Sequence, residues 1–508
     1  MSMLRSGFIV AFFTLISRIL GLLRELFLAH TFGTTQAADC LNVAFKLPNL
    51  FRRIFGEGAL SSVFVPIYSA KKNQSSNIAS TFANQIFSAL IYYLLILTMI
   101  MQIFMPQIMM LLAPGFASSA EKFELSIALS RITIPYLIFI SLAALLGGML
   151  NSIDKFKSFA ATPIILNIAI IIGCLIQVKA DTKPIIIATT VLIGGILQLI
   201  FMYYNAYRAG IRVIPTLKIY SKDTKYLLKQ MVPAIFSNSI TQISLFISNS
   251  LASFIQGAVS ILSYAERLYQ LPLSLIGTTF GTILLPKLSK SYNEQNFIQA
   301  NQILENAIKF AIYISLPCSV GICLLSSDIV TLVYLRGAFT QLDVAQTALC
   351  LTGFSFGLLA FILNKILTPA FYANNDQQTP FKINTYSILI NIVLNVMLMK
   401  VHGTIGIAVG SSLAAWVNTF MLYQQMQKKL QFNLSAGINK FIFKIVVCNF
   451  FMSIMVLLTK YFILSNINLN QSIKLLCTIL IGIICYLMAS LMIKIVSKNH
   501  LISILKHF

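Results

Sequence analysis

The sequence predicts an all-α membrane protein that crosses the bilayer about fourteen times. Three observations predict this fold class: the composition, the recurrence of long apolar runs, and the placement of basic residues between those runs. Hydrophobic residues make up 57% of the 508-residue chain and charged residues only 10%, whereas soluble domains carry about 25% charged residues. A chain of this composition is typical of a polytopic membrane protein.

The apolar runs each approach the roughly 20 residues that a membrane-spanning helix needs. Their approximate centres are residues 20, 55, 95, 138, 168, 195, 242, 276, 315, 358, 390, 415, 450 and 483. The stretch 326–342 is apolar but short and interrupted, so it is predicted to be a loop or a re-entrant segment. No small-residue cleavage site follows the first run, so this run is predicted to be a retained span and not a signal peptide.

The net charge of +23 follows the positive-inside rule. If the N-terminus is cytoplasmic, most loop lysines and arginines fall on the cytoplasmic side. They are Lys71, Lys72, Lys155, Lys157, Arg208, Arg212, Lys218, Lys222, Lys225, Lys229, Lys428 and Lys429, with Lys494, Lys498 and Lys506 in the tail. The outer loops hold fewer, among them Lys122 and Lys400. Both termini are therefore predicted to be cytoplasmic, and no nucleic-acid partner is needed to explain the charge.

Two pairs of similar segments indicate an internal duplication. "TPIILN" at 162–167 and "TPFKIN" at 379–384 are 217 residues apart, and "KLPNLF…FVPIYS" matches "QLPLSL…LLPKLS" at offsets of 224 and 220. Each repeat holds six spans, an even number, so both enter the membrane in the same direction. The predicted domains are two six-helix lobes, 1–220 and 221–430, and an extra two-helix segment with a tail, 431–508. The basic segment 207–229 is the predicted cytoplasmic connector.

Charged residues inside the predicted spans are costly, at about 2.5 to 3.5 kcal/mol each on insertion scales, and usually face a cavity or a partner. In "SRILGLLRE" we expect Arg18, Arg24 and Glu25 to border a polar cavity. The alternative is that Arg24 and Glu25 lie near the outer interface and extend to it.

The second predicted span, "KLPNLFRRIFGEG", carries Lys46, Arg52, Arg53 and Glu57. Arg53 and Glu57 have the i,i+4 spacing of an ion pair. Arg52 points elsewhere, and its planar guanidinium would suit a phosphate. The alternative is that Arg52 reaches a lipid headgroup at the cytoplasmic surface.

The matching place in the second repeat, "YAERLYQLP", carries Glu266 and Arg267, which could instead form a local interface pair. Lys365 is a weaker candidate near the inner end of the tenth span. The balance of charge in the first, second and eighth spans is cationic, which predicts an anionic substrate with a phosphate or pyrophosphate group. The sequence has no phosphate-binding loop of the ATPase type, no H-E-x-x-H and no clear nucleophile–base pair. It therefore predicts a transporter and not an enzyme, driven by an ion gradient or the membrane potential.

Five segments resemble the MurJ (MviN) family of lipid II flippases, within the multidrug/oligosaccharidyl-lipid/polysaccharide exporter superfamily. They are "SRILGLLRE", "AFKLPNLFRRIFGEGALSSVFVPIY", "APGF", "YAERLYQLPLSLIGTTFGTILLPKLS" and "KILTPAFYA". The resemblance implies two six-helix lobes plus an extra pair that lines a groove for the lipid tail. It also implies alternating access that moves lipid II, a peptidoglycan precursor, from the cytoplasmic to the periplasmic leaflet of the bacterial inner membrane, with a link to cell shape.

The resemblance also implies roles for particular residues. The family's essential cavity arginines match Arg18, Arg24, Arg52 and Arg267, and its acids match Asp39 and Glu57. Two positions depart from the pattern of some members, which have an acid where this chain has Gln270 and an aspartate of a sodium site where it has Ser248. Asn249, Asn364, Asn391 and Asn395 are the remaining, weak sodium candidates. The departures leave sodium and the membrane potential open as driving forces, with no other cofactor expected.

Three other functions remain open from the sequence. The first is export of another lipid-linked sugar or of a drug, although a drug exporter should favour acids in its cavity. The second is a non-transporting scaffold among division proteins. The third, a membrane-bound transferase, lacks a convincing acid–base pair. The expected partners are lipid II and membrane lipids, together with proteins of cell-wall synthesis or division.

Overall fold

The computed structural model describes residues 3–52, 60–176, 179–216, 221, 223–227, 229–231, 246–435, 437–463 and 470–495. Packing divides the chain into two compact units. Unit 1 comprises Met1–Ser260 with Arg336–Phe339, and unit 2 comprises Ile261–Leu335 with Thr340–Phe508. Because these units are defined by packing and not by the repeat, the lobes 1–220 and 221–430 and the segment 431–508 stay a prediction.

Nine helices lie within the described part of unit 1. They are α1 (Met3–Phe32), α2 (Gln36–Arg52), α3 (Leu60–Gln74), α4 (Ser76–Ile103), α5 (Met105–Leu112), α6 (Ala120–Thr133), α7 (Tyr136–Asn151), α8 (Lys157–Leu175) and α9 (Lys183–Arg208). A short 3-10 helix, Pro114–Ser118, follows α5. Residues 246–252 form a further helical stretch.

The next helix, α10 (Ala258–Asn293), begins in unit 1 and continues into unit 2. The other described helices of unit 2 are α11 (Phe297–Tyr334), α12 (Gln341–Ala373), α13 (Gln378–His402), α14 (Thr404–Lys429), α15 (Ile438–Leu458) and α16 (Gln471–Met492). A π-helical turn, Thr459–Ile463, extends α15.

The described helices confirm the predicted all-α, multi-pass fold class. Ten helical segments among the described residues are long and apolar enough to cross a membrane. They match predicted spans three to six and nine to fourteen. The predicted spans centred at 20 and 276 lie in α1 and α10, and the centres at 55 and 242 lie outside the described residues. Large apolar side chains such as Phe443 and Leu480 are exposed, as expected for helix faces that contact lipid.

The prediction of a loop or re-entrant segment at 326–342 is wrong over most of its length. Residues up to Tyr334 continue α11, which is 38 residues long. The apolar run of α11 continues through Ile329, Val330 and Leu332, and the helix is interrupted only after Tyr334. Gly337 has a φ of +59°, and an added Cβ would lie 2.4 Å from the His30 carbonyl oxygen. Only glycine fits this turn, and a Thr340–Asp343 capping box then starts α12.

The core of unit 1 near the connector is apolar and well packed. Buried side chains of α3, α4, α7 and α9, among them Phe64, Phe82, Leu145 and Met202, pack together. Val213, Leu227 and Met231 of the segment that follows α9 join this cluster. The connector is therefore folded against unit 1 in its described parts.

Candidate functional site

Arg24 lies buried in unit 1 and is held by two polar side chains. Its Nη2 lies 2.5 Å from Oε1 of Glu25, and its Nη1 donates to Oδ1 of Asn167 at 3.0 Å. The guanidinium also lies 5.3 Å from the centre of the Phe45 ring. Arg24 and Glu25 are only 8% and 5% exposed, which contradicts the alternative that both extend to the outer interface.

Asn167 fixes the position of Arg24 because its own amide is held. Its Nδ2 donates to the backbone carbonyl of Ser17, 3.1 Å away on α1. The Asn167 oxygen is therefore directed at Arg24, with its nitrogen bound to the helix that carries Arg24. Sequence analysis did not identify Asn167 as a functional residue. The available signal was an amide within the apolar run of α8.

Arg52 is the last described residue of α2 and is half-buried. Its Nε donates to Oδ1 of Asn49 at 3.2 Å. Phe45, whose ring Arg24 contacts, lies on α2 seven residues before Arg52. Arg24 therefore contacts the helix that carries Arg52.

Of four other predicted residues in unit 1, the structure describes Arg18 and Lys46. Arg18 lies on α1 with an exposed side chain. Lys46 lies on α2 and donates from Nζ to Oδ1 of Asn249. Arg53 and Glu57 lie outside the described residues, so their predicted ion pair stays a prediction.

Asp39 is fully buried and accepts four hydrogen bonds. Lys122 Nζ lies 2.8 Å from its Oδ2, and the backbone nitrogen of Gly257 donates to the same oxygen at 2.9 Å. Ser260 donates from its backbone nitrogen and its hydroxyl to Oδ1, at 3.0 and 2.8 Å. Asp39 thus caps the first turn of α10, where the helix dipole favours an anion.

Lys122 was counted from the sequence only as an outer-loop charge, yet it is 6% exposed. Its ammonium also lies 4.1 Å from the centre of the Phe116 ring, within the "APGF" segment. Nothing local in the sequence indicates this role, because Asp39 and Lys122 are 83 residues apart. Gly257 is required at its turn, with a φ of +74° and the Thr34 carbonyl oxygen 2.9 Å from an added Cβ.

In unit 2 the predicted residues on α10 are partly buried. Gln270, at the position where some family members have an acid, donates to Oε1 of Glu266 at 3.0 Å. Arg267 is half-buried on the same helix. Lys365 on α12 is exposed, and its aliphatic stem lies against Gly277 of α10. Arg24 and Arg52 both lie in unit 1, and the joint action of the predicted arginines stays a prediction.

The weak sodium candidates lie on three helical segments. Ser248 and Asn249 lie on the helical stretch of unit 1, where Lys46 contacts Asn249. Asn395 donates to Asn391 at 3.1 Å on α13. Asn364 on α12 accepts from Thr419 at 2.9 Å. Within the described ranges, no cluster of three His, Cys, Asp or Glu side chains could hold a metal ion.

A family model described as "Lipid II flippase MurJ" matches residues 28–478. The chain belongs to the MurJ family. A relative from Rickettsia prowazekii (strain Madrid E), named "Probable lipid II flippase MurJ", is 47% identical over 98% of this chain and 99% of its own length. A relative of the same name from Rhizobium tropici is 36% identical over 84% of this chain and 82% of its own. The resemblance drawn from the sequence motifs is thereby confirmed.

Solved structures agree with this membership. "Lipid II flippase MurJ, inward closed conformation" is 30% identical with a TM-score of 0.81, covering 95% of this chain and 97% of its own. An inward-facing "multidrug resistance MATE family transporter of the MOP superfamily" reaches a TM-score of 0.67 at 15% identity, over 82% of this chain and 94% of its own. The MATE structure is evidence of a shared fold alone. MurJ-family membership and the ten apolar spans make this chain a multi-pass membrane protein.

Proposed function

We propose that this chain is a lipid II flippase of the bacterial cytoplasmic membrane. It would move lipid II from the cytoplasmic to the periplasmic leaflet by alternating access, without enzymatic chemistry and with both termini in the cytoplasm. The names of the MurJ relatives support the cargo. The solved MurJ neighbour, which adopts an inward closed conformation, supports a cycle that includes closed states. Contacts with proteins of cell-wall synthesis or division stay a prediction.

The buried Arg24 is the single observation that carries the mechanism. A guanidinium offers two parallel donors that fit a phosphate group. Glu25 and Asn167 hold Arg24 in one orientation and satisfy its charge while no substrate is bound. A pyrophosphate entering from the cytoplasmic side would compete with Glu25 for these donors. The geometry pre-arranges the cation, which lowers the cost of ordering it on binding.

The surrounding charges favour an anion over a cation. Residues 10–52 carry four cationic side chains, Arg18, Arg24, Lys46 and Arg52, against two acids, Glu25 and Asp39. Of the two acids, Asp39 is already bound by Lys122 and by the first turn of α10. This balance opposes a drug exporter that attracts cations. Arg52, Arg18 and Arg267 are proposed to complete the pyrophosphate site.

We propose the membrane potential as the driving force. A pyrophosphate with about two negative charges gains about 5 kcal/mol per 100 mV when an inside-negative potential drives it outward. The candidate sodium oxygens are amides and hydroxyls, and Asn249 already contacts a lysine ammonium. None of these oxygens carries a negative charge to offset that of a bound cation, so sodium coupling is the less favoured alternative.

The proposal is tested with proteoliposomes that contain fluorescent lipid II. Movement between leaflets is followed by chemical quenching from outside, with an imposed inside-negative potential. Arg24→Ala should reduce movement by about tenfold or more, and Arg24→Lys should restore little because lysine lacks the planar fork. Arg131→Ala is the matched control, because Arg131 is an exposed arginine on α6. Wild-type movement in a folded Arg24→Ala protein would contradict the proposal.

A further inference from the structure

Unit 1 contains a tyrosine-lined cleft at the end of α9 that the proposed transport does not use. The cleft has a volume of about 510 Å³ and is lined by Phe87, Leu199, Ile200, Tyr203, Tyr204 and Tyr207. The five residues from α9 recur every one or three positions, so they lie on one face of the helix. Tyr204 and Tyr207 remain 56% and 55% exposed. The cleft is therefore an open, largely apolar groove along α9.

Two arginines stack on the tyrosines at the end of this groove. The Arg208 guanidinium lies 5.9 Å from the centre of the Tyr204 ring, and that of Arg212 lies 5.6 Å from the Tyr207 ring. Both side chains are exposed. The ion pairs found among the described residues include neither arginine. Stacking on a ring leaves the edge of a guanidinium, with its donors, available to an anion.

The connector holds the backbone around Arg212 in place. Val213 is 1% exposed in the apolar cluster of unit 1, and its carbonyl accepts from the Tyr203 hydroxyl at 3.1 Å. Ile214 donates to the Asn84 side chain at 2.9 Å and Thr216 to Ser88 at 2.7 Å, both on α4. Arg212 is thus presented on a fixed segment beside the groove.

In unit 2 the corresponding cation has an acidic partner. α9 (Lys183–Arg208) and α14 (Thr404–Lys429) have the same length, so the last residue of α9, Arg208, corresponds to Lys429. Lys429 Nζ lies 2.9 Å from the Asp376 carboxylate. At the TP-motif offset of 217, the counterpart of Asp376 in unit 1 is Phe159. The cation is neutralised within unit 2, whereas in unit 1 its counterpart stacks on a ring beside a groove.

We propose that this cleft binds one anionic phospholipid, with its phosphate on Arg208 and Arg212 and an acyl chain along Leu199, Ile200 and Phe87. Leu199 and Arg208 are nine residues apart on α9, or about 13 Å along the helix. This span covers the upper part of an acyl chain. The predicted orientation places this end of α9 at the cytoplasmic surface, where anionic lipids attract basic residues. The site takes a membrane lipid and not the cargo, so it is independent of the proposed function.

Native mass spectrometry of the purified protein tests the site, with phosphatidylglycerol and phosphatidylcholine of identical chains as probes. The first phosphatidylglycerol should bind at least about tenfold tighter than phosphatidylcholine. Arg208→Gln with Arg212→Gln should raise its Kd by about 10- to 30-fold and leave phosphatidylcholine binding unchanged. The matched control removes the same charge from exposed connector lysines that do not stack on tyrosines, Lys225→Gln with Lys229→Gln. The control should stay within about twofold of wild type.

A second pair of variants tests the stacking itself. Tyr204→Leu with Tyr207→Leu keeps apolar area but removes the ring faces, and should weaken phosphatidylglycerol binding several-fold. If the double arginine variant and the double lysine variant lost equal affinity for phosphatidylglycerol, the lipid would be attracted diffusely to the basic surface. That result would overturn the proposed site. So would equal binding of the two lipids to wild type, or displacement of phosphatidylglycerol by an equal concentration of inorganic phosphate. If the arginine variant does not fold, the lipid preference of wild type and the tyrosine variants still decide the proposal.

Discussion

The TP motif lies on α8 in unit 1 and on α13 in unit 2. Its last residue is an asparagine in both helices, but the two asparagines have different hydrogen-bond partners. Asn167 is buried and its Oδ1 accepts from the Arg24 guanidinium at 3.0 Å. Asn384, at the matching position, is half-buried and its Oδ1 accepts from the Asn418 amide at 2.8 Å. The same residue type therefore binds a cation in unit 1 and a neutral group in unit 2. The TP motif begins at the sixth residue of α8 but at the second residue of α13, so the two helices share the asparagine and differ in where they begin.

At the threonine of the TP motif the contrast is reversed, because here unit 2 has a charged contact and unit 1 has a neutral hydrogen bond. In unit 2, Asp376 accepts from the Thr379 backbone and hydroxyl, and from Lys429. In unit 1, the Thr162 hydroxyl bonds within its own helix, to the Ser158 carbonyl at 2.9 Å. The Asp376–Lys429 ion pair thus braces the loop end of α13, whereas in unit 1 the Arg24–Glu25 ion pair adjoins Asn167 at the other end of the motif.

Removing the acid beside Arg24 should have the largest effect on stability. Glu25→Leu takes away the carboxylate that neutralises a buried guanidinium, at a cost of about 3 to 5 kcal/mol in the free energy of unfolding. Glu25→Gln should recover part of this loss, because an amide oxygen can still accept from Arg24. Denaturation by SDS in mixed micelles measures the effect, with Glu124→Leu at an exposed site as control. Equal stability of wild type and Glu25→Leu would show that the pair does not support the fold.

The buried Asp39 should come next in size. Asp39→Asn removes the charge that Lys122 and the first turn of α10 share, and its amide nitrogen would oppose one of the donors. We expect a loss of about 2 to 3 kcal/mol. Asp181→Asn, at an exposed position, provides the control in the same denaturation experiment. A loss below about 0.5 kcal/mol would contradict the importance of this network.

The asparagine comparison can be tested directly by matched substitutions. Asn167→Leu removes a hydrogen bond to a buried charge and should cost about 2 kcal/mol, whereas Asn384→Leu removes a neutral one and should cost about 1 kcal/mol or less. Asn167→Leu should also weaken lipid II binding, since Arg24 loses its orientation, and Asn384→Leu should not. If both variants lost the same stability and the same lipid II affinity, the proposed difference in function between Asn167 and Asn384 would be wrong.

The smallest effect concerns the loop ion pair of unit 2. Partial burial disfavours the charge, but hydrogen bonds from Thr379 and Lys429 outweigh it and lower the pKa of Asp376 to about 2. Because the folded pKa lies below the unfolded value near 4, the stabilisation is present above pH 4 and is lost as pH falls towards 2. Asp376→Asn should cost about 1 kcal/mol at pH 7, and the difference should shrink between pH 4 and 2. A difference that does not change with pH would exclude the ionised carboxylate as its source.

The sequence could predict those features that follow from one local pattern. Charges within apolar runs pointed to Arg24, Glu25 and Arg52, and the TP motifs pointed to the repeat that pairs Asn167 with Asn384. The fold class followed from apolar runs of the right length. These predictions need no knowledge of which helices touch.

The features that sequence analysis missed depend on contacts between distant segments. Lys122 and Asp39 are 83 residues apart, and Asn167 and Arg24 are 143 apart, so no local spacing indicates either pair. The predicted loop at 326–342 failed because α11 continues to Tyr334 and the break requires the contact of Gly337 with His30. Packing between helices decides such positions.

Lipid II binding measured by native mass spectrometry tests the central claim most directly. Wild type is compared with Arg24→Ala, Arg52→Ala and Arg267→Ala, and with Arg131→Ala as the exposed control. The account predicts a loss of about 30-fold or more in lipid II affinity for each of the three arginine variants, as expected when a charged contact to the pyrophosphate is removed, and wild-type binding in the control. Unchanged binding in folded Arg24→Ala and Arg52→Ala proteins would contradict the claim that these arginines hold the pyrophosphate.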